Sequence, residues 1–147
     1  MYKNSAKEYN KVSLETEVME ADPHKLIQML LDGALTRLAA AKTYIEAKNY
    51  ALKNERLGKA IDIICALQES LDHEKGGEVS TNLEALYDYI TRRIFEANAH
   101  NDINVINEVM ALLIEVKSGW EGIRDQYVEL RQSGQIEEVK PQGRLSV

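Results

Sequence analysis

Three histidines, one cysteine, an adjacent pair of arginines and several carboxylates are the groups in this chain able to do chemistry. Their spacing decides what they can do. A di-iron or di-manganese centre inside a helical bundle needs inward carboxylates and Glu-x-x-His at i, i+3 on two helices. The residues three before His24, His73 and His100 are Ala21, Ser70 and Ala97, so that motif is missing and no metal is expected. Neither the His-Glu-x-x-His pair of zinc hydrolases nor a Gly-x-Ser-x-Gly elbow occurs. Gly58-Lys59 lacks the earlier glycine of a phosphate-binding loop and falls within a helical stripe, which argues against nucleotide hydrolysis. Cys65 has no second cysteine to pair with, and its apolar stripe suggests a small buried hydrophobe. His24 follows a helix-opening proline, while His73 and His100 fall at helix ends, where a cation interacts favourably with the last carbonyls. Arg92-Arg93 and Glu137-Glu138 read as solvated faces. The chain is expected to have no catalytic residue and no cofactor.

The elements that would position such groups are helices. Pro23 and Pro141 both lie outside any plausible helix interior, and β-branched runs with period-2 alternation are almost lacking, a pattern that points to an all-α fold. Asp22-Pro23 joins a good N-cap to a proline at the first helical position, predicting a helix from about Pro23 to Lys48. Its apolar residues, from Leu26 to Ile45, cover about half the circumference at ~100° per residue. A second helix is expected from after Asn49 to near Asp72, with Leu57, Ala60, Ile61, Ile64, Leu67 and Leu71 on its stripe and Gly76-Gly77 as a stop. Thr81 and Glu84 have the spacing of a capping box, which predicts a third helix from Thr81 to about Ala99. Asp102 is a good N-cap for a last helix reaching about Gln132, with Val109, Leu113, Val116, Trp120, Ile123, Tyr127 and Leu130 on its main stripe. A second apolar line holds Ile103, Met110, Ile114 and Val128.

The expected architecture is an antiparallel four-helix bundle over residues 21–132, preceded by a short N-terminal helix or cap over 1–20 and followed by a polar tail over 133–147. At 147 residues one core suffices. The net charge of −6 and a pI near 5.1 argue against a nucleic-acid partner, whose phosphates are neutralised by Lys and Arg. No apolar run approaches the ~20 residues of a spanning helix, and no secretory signal is apparent, so the expected compartment is the cytoplasm.

The ordered motifs carry a resemblance. Tyr2, Tyr9-Asn10-Lys11-Val12, the stretch from Ala21-Asp22-Pro23-His24 through Leu30-Leu31-Asp32-Gly33-Ala34, Lys59-Ala60-Ile61-Asp62-Ile63-Ile64, Leu71-Asp72-His73-Glu74-Lys75-Gly76-Gly77-Glu78-Val79, Asn82 to Ile90, Arg92-Arg93, and Glu108-Val109 through Trp120 together resemble the FliS family of flagellar export chaperones. The likeness spans about residues 1 to 130. Two positions depart from the family pattern: Leu31 stands where an aromatic residue is usual, and Asp22 where serine is frequent. The resemblance implies a four-helix bundle that binds the disordered C-terminal segment of flagellin in the cytoplasm, prevents premature polymerisation and assists delivery to the export apparatus. It also implies that the client wraps around the bundle and displaces the N-terminal segment. The flagellar export gate and regulatory proteins are further candidate partners.

The wide face of the Pro23 helix and the second line on the last helix offer more apolar area than one core consumes. Candidate client contacts are therefore Leu26, Met29, Leu30, Leu31, Gly33, Tyr87 and Tyr89, with Tyr9 and Val12 as the removable cap. Leu26, Leu30, Leu31 and Tyr87 are equally readable as ordinary core, whereas Met29 and Tyr89 are the more exposed pair. Gly33 is read as a point of close helix or client approach. Trp120 is read as a core anchor. A competing expectation is a structural or adaptor bundle that oligomerises or serves another secreted protein.

Overall fold

The structure, a computed structural model, describes residues 22–134. Five helices account for nearly all of them: α1 (Pro23–Glu46), α2 (Tyr50–Glu69), α3 (His73–His100), α4 (Ile103–Gly122) and α5 (Arg124–Gln132), with no strand among the described residues. The fold is all-α. The expected cap over 1–20 and the tail beyond Gly134 lie outside the described residues.

Each of the four long helices starts with a side-chain cap, because the first four N–H groups of a helix have no partner within it. The Asp22 carboxylate accepts from the Lys25 N–H at 2.8 Å, Asn49 from Leu52 at 3.3 Å, and Asp102 from Asn104 at 3.0 Å and Val105 at 3.3 Å. The connections are short. Lys48 (φ 59°) and Asn101 (φ 52°) take the left-handed conformation that reverses the chain after α1 and α3. Consecutive helices therefore run antiparallel, and α1 packs against α2 and α4 while α3 packs against the same two. The pairs α1/α3 and α2/α4 sit on the diagonals.

The core is one cluster drawn from all four long helices. Leu30, Leu31, Ala34, Leu38 and Ala41 meet Leu57, Ala60, Ile63, Ile64 and Leu67, with Tyr87, Ile90, Ile94 and Ala97 and then Val105, Ile106, Val109 and Leu113 closing it. Burying a Leu or Ile side chain of this kind contributes about 1.5–3 kcal/mol, enough to hold helices whose isolated stability in water is marginal. Lys53 is buried as well. Its ammonium donates to the Asn98 carbonyl at 2.9 Å, tying the start of α2 to the end of α3, and burial lowers its pKa.

Several sequence expectations are corrected. The third helix starts at His73, not at Thr81: Asp72 caps Glu74 and Lys75, the chain turns at Gly77 (φ 52°, ψ −125°), and the Thr81 hydroxyl donates to the Gly77 carbonyl one turn back instead of capping. Gly77 does interrupt the helix, but helix resumes at once. His73 is thereby in a first turn, where it faces Glu84 at 3.3 Å, and has no last-turn carbonyls to interact with. The last helix is broken at Ile123 into α4 and α5, near two glycines, Gly119 and Gly122, of low helix propensity. Ile123 is exposed in consequence, whereas Val105 and Ile106, absent from the predicted stripe, are core. Cys65 is exposed, because the buried face of α2 passes through Ile63, Ile64 and Leu67 and leaves position 65 about 100° away.

Candidate functional site

The residues proposed as contacts divide by depth. Leu30, Leu31 and Tyr87 belong to the core cluster, and Leu26 is 1% exposed. Burial pushes the Tyr87 phenol up to about 12, so it stays protonated. Met29 and Gly33 are half-buried, one turn apart on the outer side of α1, and Tyr89 is 37% exposed on α3. Gly33 faces α2 and Tyr89 faces α4, on helices that are diagonal in the bundle. The structure therefore places the accessible members on two separate edges. Tyr9 and Val12 lie outside the described residues.

On the α3/α4 edge the Tyr89 hydroxyl donates to Glu108 at 2.5 Å, and Arg93 bridges Glu108 at 3.1 Å and Glu96. The hydrogen bond from Tyr89, then the one from Arg93, hold the Glu108 carboxyl below its ordinary range. Tyr89 in turn has its pKa raised, first by that same bond. Arg92 lies 5.9 Å from the Tyr89 ring. The arginine pair is thus divided in role: Arg92 is solvated as expected, while Arg93 ties α3 to α4.

On the α1/α2 edge, Gly33 allows close helix approach. A Cβ there would meet Arg37 Nη1 at 3.2 Å and Ile63 Cδ1 at 3.4 Å. Arg37 is a movable side chain that donates to the Gly33 carbonyl. Gly33→Ala is expected to change stability by less than about 1 kcal/mol, since the gain in helix propensity offsets the shift of Arg37. Urea unfolding checks this, and a loss above about 2 kcal/mol would mean that the α1/α2 contact is tighter than the geometry allows.

A polar corner at the N-terminus of α1 was not legible in sequence. Asp22, besides capping α1, forms a two-pronged pair with Arg124 at 2.6 Å and 2.6 Å and lies 3.4 Å from Arg131. The Arg124 bond above all holds the Asp22 carboxyl at about 2. His24, 1% exposed, stacks on Trp120 with ring centroids 4.6 Å apart and planes 8° apart, and Tyr127 tilts against it at 5.3 Å. His24 Nε2 lies 2.7 Å from the Trp120 carbonyl, and Trp120 Nε1 donates to the His24 carbonyl at 2.8 Å. Only a protonated Nε2 can donate to that carbonyl, so neutral His24 leaves Nδ1 bare. Nδ1 is buried with no hydrogen-bond partner. Burial, partly opposed by the Trp120 bond, lowers the pKa of His24. Trp120, read as a core anchor, is half-buried and acts as a clasp between α1 and α4. The only sequence signal was that Trp120, Arg124 and Tyr127 fall on one helical stripe; their partners lie about a hundred residues earlier.

No helix among the described residues is long and apolar enough to cross a membrane, and no group of three or more His, Cys, Asp or Glu residues that could hold a metal comes together there. The fold is that of an antiparallel helical-bundle protein, with Met29 and Gly33 partly exposed on one edge and Tyr89 on another. The chain belongs to the FliS family: the model of the family described as flagellar protein FliS matches residues 5–127. It is 50% identical over 117 residues to the flagellar secretion chaperone FliSB of Pseudomonas aeruginosa, covering 80% of this chain and 93% of that protein. The flagellar secretion chaperones FliS of Salmonella typhimurium and Vibrio cholerae are 48% and 40% identical, over 80% and 87% of this chain and 87% and 94% of their own lengths.

Proposed function

We propose that this chain is a cytoplasmic flagellar secretion chaperone, not an enzyme, that holds the disordered C-terminal segment of flagellin, keeps it from polymerising early and assists its delivery to the export apparatus. What carries the reading is the family match over residues 5–127 together with relatives named flagellar secretion chaperones. The surface supports it: Met29, Gly33 and Tyr89 are accessible in part, and Val79 (66%), Phe95 (58%) and Ile114 (53%) leave apolar area on the outside of α3 and α4. Covering such area contributes about 25 cal/mol per Å², less the ordering entropy of a segment that folds as it binds, so a long wrapped contact can be tight and still releasable. Nucleotide has no part in this scheme. Tyr9 and Val12 serve in it as the displaceable cover, while Leu26, Leu30, Leu31 and Tyr87 shape the surface from beneath.

Sedimentation of the full chain with a peptide of the flagellin C-terminal segment is the test. A one-to-one complex at micromolar concentrations is expected. No complex under those conditions would sink the proposal and favour service to a different secreted protein.

A further inference from the structure

We propose that the edge between α1 and α2 takes a stretch of the client that carries carboxylates between apolar side chains. This rests on the chaperone reading above and assigns chemistry to one part of its surface. On α1, Met29, Gly33 and Arg37 follow at i, i+4 and i+8, and on α2, Arg56, Lys59 and Ile63 fall at i, i+3 and i+7; each set lies on one helical stripe. The stripes face each other, because a Cβ on Gly33 would lie 3.4 Å from Ile63 Cδ1. Small and apolar groups thus line the bottom of the edge, and cations stand along it.

The charge is the informative part. The chain carries a net charge of −6, yet these two stripes hold three cations and no acidic residue. Arg37 donates to a backbone carbonyl, that of Gly33 at 3.1 Å, and among the described residues no carboxylate pairs with Arg37 or Lys59. Arg56 meets only its sequence neighbour, Glu55, at 3.2 Å. Three other cations are paired with carboxylates across helices, Lys117 with Asp32 at 2.6 Å, Arg93 with Glu108, and Arg124 with Asp22, while Lys42 donates to the Asn107 amide at 2.9 Å and Arg92 lies over the Tyr89 ring. A basic apolar edge on an acidic protein fits an acidic apolar segment, since complementary charge speeds encounter and fixes register while apolar contact supplies most of the affinity.

The test is a binding cycle on the full chain with two probes: the cognate flagellin C-terminal peptide, and the same peptide with its Asp and Glu changed to Asn and Gln. Arg37→Gln combined with Lys59→Gln is the variant, and Lys42→Gln, on the α1/α4 edge, is the control. The expected result is that the double variant binds the first peptide about tenfold more weakly at low salt, with a shallower salt dependence, while Lys42→Gln binds as the parent does. The amide peptide should bind parent and double variant alike. Equal binding of the acidic peptide by parent and double variant, with both folded by circular dichroism, overturns the inference and leaves the chaperone reading standing. Failure of the parent chain to bind either peptide overturns both.

Discussion

Gly76→Ala is expected to lower the unfolding free energy by about 3 kcal/mol, combining overpacking with a damaged buried hydrogen bond. A Cβ at this position would lie 1.8 Å from Ser80 Oγ and 2.9 Å from Ser80 Cβ. Ser80 has little room to give: it is 5% exposed and its hydroxyl donates to the Asp72 carbonyl at 3.0 Å. The adjoining Gly77, at φ 52° and ψ −125°, folds the first turn of α3 back onto the helix that follows. Urea midpoints at constant slope measure the loss. Adding Ser80→Gly should recover part of it despite the helix cost of a glycine, because the two substitutions share one contact. A loss below about 0.5 kcal/mol for Gly76→Ala would show that the turn relaxes freely, and the tight-turn argument would fail.

The second large effect is acid destabilisation in two descents. His24 has a folded pKa below its ordinary 6.5, so the unfolded chain binds the extra proton first and stability falls as the pH drops through 6.5. Asp22 has its pKa lowered from 3.8 to about 2, so its contribution of about 2 kcal/mol is complete above pH 3.8 and is lost between there and pH 2. In both cases the structural cause is the same corner. A proton on His24 Nδ1 would place a charge where no acceptor reaches it, and a proton on Asp22 would weaken its pair with Arg124. Trp120, the single tryptophan, stacks on His24, and its fluorescence therefore reports the first descent directly. His24→Gln should flatten the change between pH 5 and 7, and Asp22→Asn, which keeps an N-cap residue, should flatten the one below pH 4. Identical pH profiles for parent and His24→Gln would remove His24 as the cause.

Much of the molecule was written locally. The helix starts at Pro23, Tyr50 and Ile103 followed from Asp22-Pro23, Asn49 and Asp102, since a cap needs only its own next few N–H groups. The apolar periodicity of α1 and α2 likewise put Leu38, Leu57 and Ile64 on the stripes that form the core, a geometry set by 100° per residue and nothing further. The family resemblance rested on ordered residue strings and was legible for the same reason.

Contacts made across the bundle were not legible. Sequence spacing cannot tell that Asp22 meets Arg124, or that His24 lies on Trp120, because these pairings depend on how α4 lies against α1. Cys65 was misjudged because its stripe is apolar in sequence while the outer flank of α2 has no neighbour to cover it. The accessible client candidates were separated onto two edges by the same cause: helix order around the bundle puts α1 and α3 on a diagonal, and only tertiary packing sets that order. The chain by itself determined which residues make helices and which faces are apolar. Which apolar positions remain open, and which charges stand beside them, was decided when the four helices packed, because burial is a property of neighbours and not of a stripe.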